Sequence, residues 1–376
     1  MTSITKKLIL VVFIIVAVSA IFLNYGQISR LFFKPPSAAD PKVTEEKEKS
    51  NFEIIAQNLQ IPWEIAFLPD GDLLVTERPG TLKRIGEHGR NFNIEGIKHI
   101  EEGGLLGMTL HPQFTENRWI YIYLTTETKQ GLKNRVERYR LDQDFLREKK
   151  NIVDNIPGAK YHDGGRIAFG PDGNLYVTTG DANNPKSAQD LNSLAGKILR
   201  LKDDGSVPAD NPFGNAIWSY GHRNPQGLVW DDKGRLWATK HGRSGLLSGL
   251  DELNQIEKGA NYGWPAIQGD ERRPGMHSPV IQSGPDHTWA PSGAVYFNDS
   301  IYFTGLRGES IYQTKISGDG TASQPVVHLT GEFGRIRSIK INNAGFFYVV
   351  TSNTDGRGEV RPGDDKIIKL SPSTFK

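Results

Sequence analysis

The chain has 376 residues, room for two average domains or one large all-β domain, and its 41 glycines, 21 prolines and 10% aromatics suit many short strands joined by tight turns. Its 45 basic and 43 acidic side chains nearly cancel to a net +2, with no lysine–arginine run, which argues against a nucleic-acid partner. Cysteine is absent, so disulfides, thiolate metal sites and a cysteine nucleophile are all excluded.

In chain order, Lys6 and Lys7 precede an almost unbroken apolar run from Leu8 to Leu23. A positive start before a hydrophobic segment is the pattern of an export signal, so residues 1–33 are expected to form a signal peptide or a membrane anchor. Val18-Ser19-Ala20 could serve for cleavage, but Ile21-Phe22-Leu23 continue the apolar stretch, which favours an uncleaved tether through residues 8–23. Either way the basic residues ahead of it leave the body on the periplasmic or extracellular side. Residues 34–51, Pro-rich and charged, read as a solvated linker.

From Phe52 one unit recurs: a turn signal, then a short apolar strand. It appears as LPDGDLLVTER (68–78), HPQFTENRWIYIYLT (111–125), GPDGNLYVTTGD (170–181), DDKGRLWATKHG (231–242), YFNDSIYFTGL (296–306) and NNAGFFYVVTS (342–352). Leu74, Tyr121, Tyr176, Trp237, Tyr302 and Tyr348 then fall in register, at the spacing expected for propeller blades with loop insertions. A second strand follows most units, as in TLKRI (81–85), GKILRL (196–201) and DKIIKL (365–370), with DELNQIEKG (251–259) in that place in the fourth. One blade cannot bury both of its faces, and radial packing solves this. The expectation is an all-β, six-bladed β-propeller over residues 52–376, closed by pairing 52–59 with the last blade near DKIIKL.

In a propeller, loops from successive blades meet at one mouth of the channel. His162 stands just before the first strand of the third unit and Asp181 just after its second, so a hairpin could set them face to face as a base and its orienting group, or they could be rim residues without a task. Arg223 and Asn224 lie between strands. Arg335 and Arg337 alternate along one strand and so share a face, where they repel unless an anion lies between them or the face is solvent. Trp289 could be a flat contact surface or core. Asp251, Glu252 and the loop GANYGWP (259–265) offer hard oxygen ligands of the kind calcium prefers, although Glu252 also reads as a plain carboxylate. No zinc spacing and no GxSxG elbow is present.

The stretches IPWEIAFLPDGDLLVTER, EEGGLLGMTLHPQF, HDGGRIAFGPDGNLYVTTGD, GKILRLKDDGSVPADNPF, GHRNPQGL, DELNQIEKGANYGWP, WAPSG and GRIRSI together resemble the soluble quinoprotein sugar dehydrogenases, the aldose sugar dehydrogenases and, more distantly, soluble glucose dehydrogenase. They run in family order over nearly all of residues 53–370. The resemblance implies a six-bladed propeller that holds pyrroloquinoline quinone (PQQ) over its channel and oxidises aldoses at C1. It implies His162 as general base, oriented by Asp181; Arg223 and Asn224 at the quinone oxygens; Arg307, Arg335 and Arg337 on the cofactor's carboxylates; Trp289 flanking its rings; and Glu102 beside the sugar. Gly242 and Arg243 would hold the cofactor's calcium, and Glu252 with the Tyr262 carbonyl a second, structural Ca2+. An aldose substrate and an external electron acceptor follow, in a monomer or homodimer.

Three departures accompany the match. Lys240 and Arg243 stand where relatives carry Glu and Pro, which weakens cation binding unless neighbours compensate. Tyr161 stands where soluble glucose dehydrogenase has a substrate-contacting carboxylate, and Arg307 replaces a lysine. The alternatives are a propeller that has lost its cofactor and serves as an extracellular binding module, and a calcium-dependent lactonase.

Overall fold

The structure, a computed structural model, describes residues 52–143, 145–244 and 248–375. The expected N-terminal signal or anchor (1–33) and the linker (34–51) lie outside these residues. Among the described residues no helix is long and apolar enough to cross a membrane.

Six four-stranded antiparallel sheets follow one another along the chain. Blade 1 holds β2 (Pro62–Phe67), β3 (Leu73–Glu77), β4 (Thr81–Ile85) and β5 (Arg90–Asn93). Blade 2 holds β6 (Leu105–Leu110), β7 (Trp119–Thr128), β8 (Gly131–Leu141) and β9 (Leu146–Pro157). Blade 3 holds β10 (Ile167–Phe169), β11 (Leu175–Thr179), β12 (Lys197–Leu201) and β13 (Ile217–Tyr220). Blade 4 holds β14 (Pro225–Trp230), β15 (Leu236–Lys240), β16 (Glu252–Ile256) and β17 (Ile281–Gln282). Blade 5 holds β18 (Pro291–Phe297), β19 (Ser300–Gly305), β20 (Ile311–Lys315) and β21 (Val326–His328). Blade 6 takes β22 (Ile336–Ile341), β23 (Phe347–Thr351) and β24 (Ile367–Leu370) from the C-terminus, and its outer strand β1 (Phe52–Ala56) from the other end of the sheet region. The pairing Phe52↔Leu370 and Ile54↔Ile368 is the expected ring closure.

Strand alternation supplies the packing. Leu175 and Val177 on β11 face blade 2, while Tyr176 between them faces blade 4. Ile301 and Phe303 on β19 likewise face blade 4, and Tyr302 faces blade 6. Each junction between neighbouring blades therefore has its own apolar cluster, as between blades 4 and 5 (Trp237, Leu253, Ile301, Phe303) or between 6 and 1 (Leu59, Val75, Val350, Ile367). Each large side chain buried there stabilises the ring by about 1.5–3 kcal/mol.

The first strand of each blade lies innermost, and crowding at the axis dictates small residues. A Cβ on Gly107 would come within 2.0 Å of the Gly165 carbonyl oxygen, and one on Gly227 within 2.4 Å of the Ser292 carbonyl oxygen. Threonines on the second strands then tie neighbouring blades together. The Thr76 hydroxyl donates to the Leu106 carbonyl (2.6 Å), and that of Thr239 to the Ser292 carbonyl (2.8 Å). In blade 1 the axial position is filled by Glu64, which accepts from Arg166 and from the Ser338 hydroxyl (2.6 Å) and pairs with Lys340 (3.2 Å). Arg166 donates onward to the Gln226 carbonyl (2.8 Å), and the Gln226 side-chain oxygen accepts from Arg337 (2.6 Å). A buried polar network thus crosses the axis and ends at the site described next.

Candidate active site

Loops leading from one blade into the next, and loops joining second to third strands, converge on a single cavity of about 770 Å³. The inter-blade loops supply Glu101, Glu102, Tyr161, His162, Arg223, Thr288 and Arg335; the others supply Asn183, His241, Arg243, Arg307, Asp355 and Arg357. Side chains hundreds of residues apart meet here because every blade delivers its loops to the same rim.

His162 and Asp181 face each other as the hairpin β10–β11 requires. The ladder extends past the strands through Gly165 N–H to the Thr178 carbonyl (3.0 Å) and Ala182 N–H to the His162 carbonyl (3.2 Å). Gly180 sits in the gap, where a Cβ would lie 1.8 Å from the His162 oxygen. The imidazole Nδ1 is 2.7 Å from Asp181 Oδ1, and the ring is 15% exposed while the carboxylate is fully buried. Asp181 is itself fixed: Oδ1 also accepts the Asn183 N–H (3.0 Å), and Oδ2 accepts the Trp264 indole N–H (2.8 Å). With Nδ1–H donated to Asp181, Nε2 keeps its lone pair, the arrangement of a general base. The His162 backbone has φ +65°, in the left-handed region, and its N–H donates to Glu102 Oε2 (2.9 Å).

Glu102 in turn accepts from Arg357 at 2.9 Å. Burial alone would raise its pKa, but Arg357 and then His162 outweigh that and hold it well below the usual carboxylate range. Asp355, beneath Arg335 (2.8 Å), is likewise held down by that guanidinium against the cost of burial.

Six arginines (Arg223, Arg243, Arg307, Arg335, Arg337, Arg357) line the cavity against four carboxylates (Glu101, Glu102, Asp251, Asp355) among the described residues. Arg223 donates to the Ser244 hydroxyl (2.7 Å), Arg307 to that of Ser248, and Arg335 to the Leu306 carbonyl (3.1 Å). Burial, with Arg78 and Arg335 nearby, pushes Arg337 down to about 9, which marks a positive charge that Asp355 balances only in part. Buried Nε atoms of Arg337 and Arg243 and Nε2 of His241 have no hydrogen-bond partner among the described residues. Desolvation pushes His241 down to about 4, so its ring is neutral.

Several expected residues stand outside the cavity. Asn224 is buried behind it, where its side-chain oxygen accepts the Gly164 N–H (2.9 Å) and so braces the His162 turn. Trp289 is a core residue, packed on Phe303 (5.2 Å) and Tyr312 (5.5 Å); its neighbours Thr288 and Ala290 line the cavity instead. The Gly242 N–H is held by Asp251 Oδ1 (2.8 Å). Asp251 Oδ2 takes Thr288 Oγ1, Trp289 N–H and Ala290 N–H at 2.7–2.9 Å, so this carboxylate is committed to holding its loops. Glu252 pairs with the buried Lys240 ammonium at 2.7 Å, and the Tyr262 ring stacks on His222 (4.8 Å) with its hydroxyl on the Gln255 carbonyl (2.6 Å).

The sequence reading did not single out Gln226, Trp264, Asp355 or Arg357. The signal for the last two was available: the second-to-third-strand connection of blade 6, NTDGRGEVRPGDD, is long and polar on the functional rim.

Fold and cavity define a six-bladed propeller whose rim carries a histidine–aspartate pair beside an excess of guanidinium groups. The chain belongs to the glucose/sorbosone dehydrogenase family, which it matches over residues 59–361. It is 30% identical to the aldose sugar dehydrogenase of Escherichia coli, across 86% of this chain and 93% of that one. It is 34% identical to the uncharacterized protein slr1608 of Synechocystis, across 81% and 84%. Among solved structures, the PQQ-bound aldose sugar dehydrogenase of Streptomyces coelicolor is similar with a TM-score of 0.78 at 40% identity, covering 86% of this chain and 98% of that one. The family and these relatives support a sugar dehydrogenase, with a sugar substrate and an electron acceptor.

Proposed function

We propose that the protein oxidises aldoses at C1 to lactones, with PQQ as bound hydride acceptor and His162 as general base. The observation that carries this is the His162–Asp181 pair opening into an arginine-rich cavity. PQQ bears three carboxylates, and four cavity arginines (Arg223, Arg307, Arg335, Arg337) with unbalanced positive charge fit such a ligand. The partnerless buried Nε of Arg337 is consistent with an anionic acceptor there. The cavity volume lies within the range of about 300–1,000 Å³ usual for small-molecule sites.

When bound, PQQ supplies a quinone that takes up a hydride. The residues of the chain do the rest. His162 Nε2 takes the proton of the anomeric hydroxyl, so that the C1–O bond gains carbonyl character as the C1–H bond gives up its electron pair. Asp181 fixes the tautomer and steadies the imidazolium that forms, and Trp264 and Asn183 hold Asp181 in place. Arg223, stacked 5.5 Å over Trp264 and beside Asp181, can stabilise negative charge at the acceptor end.

The two places expected for calcium differ. At Gly242 and Arg243 it would rest on backbone carbonyls, and its neutralising charge would come from the ligand's carboxylates because Asp251 is committed. At Glu252 it does not fit, since Lys240 already supplies the cation. The lactonase alternative needs several uncommitted side-chain oxygens on one ion. Here Glu102 is paired with Arg357, Asp355 with Arg335, and Asp251 with Thr288 and backbone. The basic and then apolar N-terminus supports export, a propeller on the periplasmic or extracellular face, and an external electron acceptor.

The test is to add PQQ and Ca2+ to the purified protein and follow dye reduction with a panel of aldoses. Turnover with a PQQ-dependent rise in Tm is expected. Neither appearing would overturn the reading and leave the binding-module alternative.

A further inference from the structure

We propose that Arg357, on the blade 6 rim loop, is a positioning residue for the base: it acts through Glu102 to hold His162 in its working backbone conformation. The proposal rests on the dehydrogenase reading for its kinetic part only.

Three contacts make the chain of support. Arg357 donates to Glu102 Oε1 at 2.9 Å, across 255 residues of sequence. The other oxygen, Oε2, accepts the His162 N–H at 2.9 Å. The guanidinium also lies 5.5 Å over the ring of Tyr161, the residue before the base. His162 is thus held twice, its ring by Asp181 and its backbone by Glu102.

The backbone needs that hold. A non-glycine residue at φ +65° sits in a region that costs on the order of 1–2 kcal/mol and persists only where surroundings impose it. Here one imposing contact is a carboxylate in the cavity wall. Without a guanidinium beside it, burial would favour rotation towards solvent, which removes the acceptor of the His162 N–H, or protonation, which leaves only a weaker neutral one. The other charges nearby do not substitute. Glu101 is like-charged and 3.9 Å from Arg357, Arg335 is committed to Asp355, and Arg78 donates to the Gly103 carbonyl.

A plain ring-closing role for the pair is redundant. Blade 6 is already sealed by the β1–β24 ladder and by the N–H groups of Asn58 and Leu59 on the carbonyls of Gly363 and Asp365. Arg357 instead lines the cavity beside the base.

The experiment compares full-length wild type with Arg357→Met, Arg357→Lys and Glu102→Met. Amide hydrogen exchange over residues 159–166 is read without substrate. Arg357→Met and Glu102→Met should speed exchange there at least tenfold relative to segments elsewhere, and Arg357→Lys should recover part of the protection. With PQQ, Ca2+ and an aldose, Arg357→Met should lower kcat about 10- to 100-fold, the scale of a misplaced catalytic group, with PQQ affinity unchanged. In a His162→Ala background the same change should cost nothing further. Unchanged exchange at 159–166 would overturn the proposal whatever the activity. Equal loss from wild type and from His162→Ala would overturn it as well. Wild type without aldose turnover would sink the dehydrogenase reading but leave the exchange result to judge Arg357.

Discussion

The two sides of the cavity are finished in opposite ways. Beside His162 the carboxylates that hold the base are satisfied within the chain: Asp181 by the imidazole, Trp264 and Asn183, and Glu102 by Arg357 and a backbone N–H. Around Arg337, Arg243 and His241, buried donors and a ring nitrogen are left over among the described residues, and positive charge is in excess. A base has to be pre-organised before substrate arrives, because reorganisation during reaction adds to the barrier. An anion clamp has the opposite requirement. Its donors gain most if the ligand, and not the protein, satisfies them.

The contrast predicts distinct consequences on the two sides. His162→Ala should cut aldose turnover by about 10²–10⁴-fold, with PQQ affinity unchanged in a fluorescence titration; equal loss of both would erase the distinction between the sides.

Blade 4 gives the next largest effect, now on stability. Lys240→Met leaves Glu252 as a buried carboxylate without its cation and should cost about 3–5 kcal/mol in urea unfolding. Adding Glu252→Gln should recover most of that loss. Added Ca2+ should raise the Tm of the single variant, while in wild type Glu252→Gln should leave any Ca2+ response unaltered.

On the arginine side, Arg337→Met should weaken PQQ binding by roughly 10- to 100-fold, the worth of one charged hydrogen bond. The kcat at saturating cofactor should change far less.

The smallest effect belongs to Asp163, behind the base. Its Oδ1 accepts from Asn134 (2.8 Å) and Ala159 (3.1 Å), its Oδ2 is buried without a partner among the described residues, and desolvation raises its pKa from 3.8 to about 6. Between those values the native state binds more protons than the unfolded chain. Its contribution is therefore fully present below about pH 4 and lost as pH rises through about 6. Asp163→Asn keeps the Oδ1 acceptor and removes the charge, so it should flatten that decline and stabilise the protein above pH 6 by on the order of 2 kcal/mol. Denaturant melts at pH 4, 6 and 8 would show it.

Much of this was legible in the sequence, and the physical reason is burial. The six aligned residues from Leu74 to Tyr348 all lie on second strands, five of them buried and Tyr348 partly buried against the cluster between blades 6 and 1, so their apolar pattern is strong. Outer strands carry no such mark. Most of β9 (LREKKNIVDNIP) is exposed, and β17 is two residues long, so neither stood out. Hairpin geometry allowed the His162–Asp181 pairing, beside the other reading of two rim residues without a task. The place of Trp289 was not legible, because an aromatic residue at a turn can point into the core or the cavity, and here it packs inward on Phe303 and Tyr312. Lys240 was visible as a departure, but not that its ammonium meets Glu252, since the pairing Lys240↔Glu252 depends on the β15–β16 register. Arg357 reaches the base through Glu102, across 255 residues of sequence, a contact that no local pattern encodes.

The most direct measurement is a PQQ titration of wild type and His162→Ala in the presence of Ca2+, followed by aldose addition and dye reduction. Saturable one-to-one binding in both proteins, with turnover in wild type alone, is the predicted result. Absence of saturable binding, or turnover that survives loss of the imidazole, would contradict the assignment of an anion clamp on one side of the cavity and a base on the other.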